Sequence, residues 1–183
     1  MDEKEQEYVI FAGVNGAGKT TYYHTFDGFP ENRVNADEIL QASGGDWRES
    51  LDYAYAMREA VQRIKWYLEN RVSFQQETTL AGGGIINTIM QAKERGYTVR
   101  MIYIGLDSAD LAVQRVADRV RKGGHGVPEA DIHRRYEVSL RTLPRIIPLC
   151  DRVEVFDNTK RYECVAVYEK GTEIFRKPCK WYL

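Results

Sequence analysis

Long hydrophobic runs are missing from this chain of 183 residues. The longest apolar stretches, such as Met101 to Leu106, fall far short of the roughly 20 residues that cross a bilayer. Met1 to Glu7 is acidic where a secretion signal would be basic, so the expectation is a cytoplasmic protein with no membrane partner. Cysteine is scarce. Cys150, Cys164 and Cys179 are odd in number, widely separated and free of any CxxC spacing, which argues against a disulfide framework and a zinc site. An excess of either charge is also absent. Lys plus Arg number 26 and Asp plus Glu 27, so no global basic field exists to hold a phosphate backbone, and nucleic acid is not the default partner. Repeats and low-complexity tracts are lacking, and with 43% hydrophobic and 29% charged residues the whole of 1–183 reads as one globular domain.

What is present alternates between strand-like and helix-like segments. Tyr8 to Gly13 and Thr98 to Leu106 are apolar runs of the kind buried parallel strands have, Val153 to Phe156 resembles a third, and Val34 and Ser73 to Gln76 are shorter candidates. Leu51, Ala54, Met57, Val61, Ile64 and Leu68 recur at three- and four-residue spacing, which predicts one buried helical stripe. Ile85, Ile89 and Ala92 repeat the pattern before Gly96, and a further helix is expected from a cap at Ser108 to about Arg121. Another covers Ile132, Tyr136, Leu140 and Leu143, with Pro144 expected to end or bend it. This order predicts a three-layer, doubly wound α/β fold on a mainly parallel sheet, and the segments flanking Glu169 to Gly171 predict an added C-terminal β-hairpin over about 161–176.

The strongest chemical signal is Gly13-Val14-Asn15-Gly16-Ala17-Gly18-Lys19-Thr20, which matches GxxxxGK[ST] and follows a strand. Its glycines let backbone N–H groups face an anion. Lys19 would reach the β- and γ-phosphates, Thr20 would ligate Mg²⁺, and the helix that begins there adds its positive end.

Three further groups decide what such a loop is used for. Asp37 follows a short strand candidate, where a carboxylate can take the proton of an attacking hydroxyl; a helix N-cap is the other reading. Glu77, with Thr78 and Thr79 behind it, can hydrogen-bond a sugar or amine, or cap a loop. The third group is basic. Arg115 and Arg119 share a helix face, Arg121 to Pro128 forms a glycine-rich loop containing His125, and Arg134 and Arg135 follow. Such a segment, about 119–135, can close as a lid over phosphates; Asp118 pairing with Arg115 or Arg121 on a solvated face is the alternative. His125 fits a loop hydrogen-bonder or substrate contact better than a general base.

Taken together these residues resemble the zeta-toxin-like family of P-loop kinases, which includes UDP-N-acetylglucosamine kinases. The likeness rests on GVNGAGKTT at Gly13 to Thr21, NADEI at Asn35 to Ile39, ETTLAG at Glu77 to Gly82, and the stretch from Arg115 to Tyr136. The resemblance implies a P-loop NTPase fold of adenylate-kinase-like type. It implies ATP and Mg²⁺ as cofactors, with Asn15, Gly16, Ala17, Gly18, Lys19, Thr20 and Thr21 holding the nucleotide. Asp37 matches the catalytic aspartate, Glu77 the acidic substrate-binding residue beside Thr78 and His125, and Arg121 and Arg134 the two lid arginines. By similarity to such lids, Arg115 would stack on adenine and Arg119 reach phosphate. The implied activity is transfer of the γ-phosphate to a hydroxyl of a small molecule, with a UDP-activated amino sugar as the favoured acceptor and an antitoxin protein as a partner. Another metabolite, a nucleoside or a polynucleotide end is the alternative acceptor, and a non-catalytic nucleotide-binding regulator the alternative class.

Overall fold

Side-chain alternation along the first strand decides the architecture. The computed structural model describes residues 5–182; Met1–Lys4 and Leu183, and so most of the acidic N-terminal stretch, lie outside them. Along β1 (Glu7–Ala12), Tyr8, Ile10 and Ala12 enter one core while Val9 and Phe11 enter another. A strand buried on both faces needs helices on both sides. The chain supplies them in the order α1 (Lys19–Thr25), β2 (Arg33–Val34), α2 (Ala36–Ala42), α3 (Ser50–Asn70), β3 (Phe74–Thr78), α4 (Ile85–Glu94), β4 (Thr98–Gly105), α5 (Ala109–Arg121), α6 (Glu129–Ile146), β5 (Arg152–Asp157), β6 (Glu163–Glu169) and β7 (Thr172–Arg176).

The seven strands run β2-β3-β1-β4-β5-β6-β7 across one sheet. The first five are mutually parallel, and β6 and β7 continue from β5 as an antiparallel hairpin. The result is a doubly wound, mainly parallel α/β sheet with a C-terminal hairpin. On one face α3, α4 and the end of α6 cover Tyr8, Met101 and Val153; on the other α1, α5 and the start of α6 cover Phe11, Ile102 and Ile104. Strand order reverses around β1, so the C-terminal ends of β1 and β3 open onto the crevice where ligands of such sheets gather.

Two expectations are corrected. In α3 the buried residues are Ala56, Ala60, Ile64 and Leu68, whereas Leu51, Met57 and Val61 are 81%, 44% and 61% exposed. The small side chains of Ala56 and Ala60 set the close-packed face, and spacing arguments weighted toward large residues pass over them. Tyr53, Met57 and Ala60 instead line a cavity described below. The second correction concerns Pro144, which lies inside α6 and does not end it. The helix continues to Ile146, because Leu143 and Ile146 are both anchored in the core and a proline in the last turn removes few internal bonds.

The remaining caps follow the sequence closely. Ser108 Oγ accepts from Leu111 N at 3.2 Å and starts α5. The cysteines are unpaired thiols, and burial pushes Cys150 up to about 12. Among the described residues no helix is long and apolar enough to cross a membrane.

Candidate active site

The loop after β1 wraps its own lysine. Gly18 caps α1 with φ 98°, a left-handed conformation, and a Cβ there would stand 2.6 Å from Asn158 Nδ2 and 2.7 Å from Tyr162 Oη. Only glycine meets both demands. Asn158 and Tyr162 in turn donate to the carbonyls of Ala17 and Gly18 at 2.9 and 2.7 Å, so the β5–β6 connection holds the phosphate loop in shape. Lys19 is only 5% exposed; its Nζ donates to Val14 O at 3.0 Å and lies 3.6 Å from Glu77 Oε1. Burial pushes its pKa down, against the pull of Glu77 and Asp37. An ammonium held this way is primed for an anion.

Glu77 stands at the end of β3, next to β1, where the parallel register sets Phe11 opposite it. Its Oε2 accepts from Thr20 Oγ1 at 2.9 Å, Arg33 Nη2 at 2.5 Å and Asn35 Nδ2 at 3.1 Å. It is therefore the anionic hub that ties the phosphate loop to β2 and α2. Thr78 turns away from it: its Oγ1 accepts from Leu80 N at 3.1 Å, supporting the positive φ of 58° at Leu80.

The capping question at Asp37 is settled by its neighbour. Asn35 is the N-cap of α2, and its Oδ1 accepts from Asp37 N at 2.9 Å. The Asp37 carboxylate is thus free of cap duty. It lines both of two adjoining cavities. The smaller, about 280 Å³, is walled by Tyr53, Met57 and Ala60 from α3 together with Arg134 and Arg135. The larger, about 550 Å³, is formed by the phosphate loop, Arg115, Arg119, Trp47 and His125. Asn15, Lys19, Asn35, Asp37 and Glu77 belong to both and form the boundary.

The basic residues fall into two sets. Arg115 Nη2 donates to the carbonyls of Asn158 and Thr159 at 2.8 and 3.1 Å, beside the phosphate loop. Arg119 Nε donates to His125 O at 2.7 Å, while its Nη2 is buried with no hydrogen-bond partner among the described residues. A buried guanidinium nitrogen left so is costly unless an acceptor arrives. Arg135 donates to Asn15 Oδ1 at 3.1 Å. Arg121 and Arg134 behave differently. Arg121 pairs with Asp118 on the solvent side, and Arg134 pairs with Asp131 at 2.8 Å on the rim of the smaller cavity.

The structure thus gathers Asn15, Gly16, Gly18, Lys19, Thr20, Thr21, Asp37, Glu77, Arg115, Arg119 and His125 around one cleft. It leaves Arg121 outside, and Ala17 is buried in the core beneath the loop. Residues outside those positions also take part. Arg33 and Asn35 fix Glu77, Trp47 flanks His125, and Asn158 and Tyr162 brace the loop. NADEI contains the Asn35 signal, a cap residue two positions before the acid, but nothing in the spacing announces the long-range partners.

Solved structures share this fold. A chain of the AvrRxo1-ORF1:AvrRxo1-ORF2 complex, described with sulphate ions, superposes with a TM-score of 0.71 at 16% identity, covering 95% of this chain and 62% of that one. The present chain thus spans about three-fifths of that relative. A chain from the PezAT chromosomal toxin-antitoxin system of Streptococcus pneumoniae matches with a TM-score of 0.68 at 17% identity, over 91% of this chain and 72% of the other. In sequence, an uncharacterized protein of Haemophilus influenzae is 27% identical over 132 residues, 72% of this chain and 94% of that protein. The family model described as Zeta toxin matches residues 1–173, and the chain belongs to the zeta toxin family.

Proposed function

We propose that the protein is an ATP- and Mg²⁺-dependent phosphotransferase that moves a γ-phosphoryl group to a hydroxyl of a small molecule. The observation that carries this reading is the position of Asp37, a carboxylate excused from capping and shared by two cavities that meet at Lys19. The larger cavity takes the nucleotide and the smaller the acceptor. Asp37 accepts the acceptor's hydroxyl proton as its oxygen bonds to phosphorus and the nucleoside diphosphate departs. Lys19 and Arg119 place positive charge against the transferring group, and Arg115 lies on the base side. Arg135 stands closer to the boundary than Arg134, and Arg121 would join only if the segment about 119–135 moved inward as a lid.

The metal fits the donor set. Thr20 offers a hydroxyl backed by the Glu77 carboxylate, hard oxygen chemistry of the kind Mg²⁺ takes, and Mg²⁺ in such sites completes its shell with water and phosphate oxygens. When bound it would neutralise charge on the β- and γ-phosphates.

The favoured acceptor is a UDP-activated amino sugar, with Glu77 and Thr78, which line the smaller cavity, as its contacts. Support comes from the family and from a cavity that combines apolar walls with two arginines. Incubation with labelled ATP and a panel of nucleotide sugars tests it: label in a UDP-amino sugar is expected, and absence of label from every sugar removes that assignment. One structural relative comes from a toxin-antitoxin system and another is solved as an AvrRxo1-ORF1:AvrRxo1-ORF2 complex, and these favour a small protein partner that holds the cleft inactive in the cytoplasm. Co-purification with the product of a neighbouring short open reading frame would test that partner.

A further inference from the structure

Three contacts converge on His125. Its Nε2 lies 3.6 Å from Asp37 Oδ1. Its ring packs against Trp47, with centroids 5.7 Å apart and planes inclined by 60°. Its carbonyl accepts the hydrogen bond from Arg119 Nε. Residues 122–128 therefore reach across the larger cavity from α5 to the α2–α3 connection. Gly126 lies flat on the indole: a Cβ there would stand 2.6 Å from Trp47 Cζ2.

Fixing a loop with three glycines around one histidine is entropically costly, so the contact at its tip has to supply order somewhere. What it orders is the Asp37 side chain. At 3.6 Å the imidazole is beyond hydrogen-bond length but close enough to restrict the carboxylate. Desolvation holds the His125 pKa below 6.5; Asp37 and Asp46 oppose that, and Arg119 and Arg135 reinforce it. The ring is consequently neutral at physiological pH. A neutral neighbour orients a carboxylate without cancelling the negative charge that a proton acceptor needs.

We propose that His125 is a positioning residue for Asp37, carried by a loop that latches onto Trp47 and turns the carboxylate toward the boundary of the two cavities. The inference rests on the reading of Asp37 as base and replaces the role of His125 as a mere substrate contact. It also makes closure of the loop and orientation of the base one event, so that a hydroxyl is deprotonated only in the covered site.

Histidine ring resonances, titrated by NMR in the full chain, read the latch without any turnover. Asp37→Asn is expected to lower the His125 pKa by about one unit, a tenfold loss of proton affinity. Gly126→Ala and Trp47→Leu, which disturb the loop's seat on the indole and leave His125 and Asp37 themselves intact, should speed tryptic cleavage at Lys122 several-fold. In MgATP turnover, His125→Ala should lower kcat about tenfold with the KM for ATP nearly constant, and His125→Gln should recover part of it. An unmoved His125 pKa in Asp37→Asn overturns the latch, as does unchanged proteolysis. A raised KM with unchanged kcat overturns the positioning role in favour of substrate contact. Absence of turnover in the unmodified protein overturns the phosphotransferase reading, and titration with proteolysis then decides the latch independently.

Discussion

Thr20 donates its hydroxyl proton to Glu77 at 2.9 Å, joining the phosphate loop to the end of a strand that lies far away in the chain. The same carboxylate oxygen takes Arg33 and Asn35, so Glu77 is held from three directions before any ligand arrives. Its first duty is to orient Thr20 and to balance Lys19. The acceptor contact proposed for Glu77 would therefore have to use Oε1, which faces Lys19 at 3.6 Å.

Asp37 bears the proposed proton transfer, and its amide replacement is the sharpest test. Asp37→Asn keeps shape and leaves the Asn35 cap intact, because that bond uses the backbone N–H of residue 37. Transfer should fall by about 10²- to 10⁴-fold while ATP affinity changes by less than about threefold. Phosphate transfer assays beside equilibrium binding of ATP measure both, and retained transfer would remove Asp37 from the chemistry.

The arginines divide by environment. Arg119 lines the larger cavity and carries a buried Nη2 with no hydrogen-bond partner among the described residues, whereas Arg121 is paired with Asp118 on the surface. Arg119→Ala should therefore weaken ATP binding by about 1.5–3 kcal/mol, roughly ten- to a hundredfold. Arg121→Ala should change it by less than about threefold, unless the segment closes further in the ternary complex. Calorimetric titration of both variants with MgATP makes the comparison, and equal losses would show that Arg121 reaches the nucleotide.

Much of this arrangement was legible from residue order. β1, the phosphate loop, the Ser108 cap and the hairpin follow from local rules that act within a few residues. The Asp37 and Glu77 sites were legible as strand-end acids, since a parallel sheet collects such positions at one edge. What local rules missed lies in partners distant in sequence. Arg33 on Glu77, Asn158 on Ala17 and Trp47 under His125 depend on which strands become neighbours. The face of α3 was misread for another reason. Two alanines set its packing, and alanine weighs little in a count of hydrophobic residues.

That face yields a stability test. Val61 is exposed and Ile64 is buried, three residues apart on the same helix. Val61→Lys should leave the melting temperature within about 2 °C, whereas Ile64→Ala should cost about 2–5 kcal/mol through lost burial and a residual cavity. Thermal unfolding of the two variants decides the register, and a comparable loss at both positions would restore the stripe predicted by spacing, which holds Val61 and Ile64 together.

Acid sensitivity follows from His125. Its pKa is lowered on folding, chiefly by desolvation, so the unfolded chain binds the proton more readily. The contribution of this group to stability is complete above 6.5 and is lost as pH falls through the folded value. Asp131, lowered by its hydrogen bond to Arg134, acts only below 3.8 and does not overlap that window. Urea midpoints measured from pH 7.5 down to 5 should decline more in the unmodified protein than in His125→Gln. Parallel curves would mean that His125 titrates as it does in an unfolded chain.

Glu77 offers the largest single-residue effect. Its side chain is 12% exposed and faces Arg33 and Lys19, at 9% and 6%. Glu77→Gln preserves volume but leaves buried Lys19 without its paired carboxylate and Arg33 with only the more exposed Glu38, a change that typically costs about 3–5 kcal/mol. For a chain of this size that lowers the melting temperature by about 10 °C. Glu38→Gln is the control. Glu38 also accepts from Arg33, at 2.9 Å, but its side chain is 44% exposed, so its loss should cost less than about 1 kcal/mol. Comparable losses in the two variants would mean that the hub is hydrated and that its charges are screened by water. A large loss confined to Glu77→Gln would place the energetic centre of the cleft at the carboxylate that Thr20 binds.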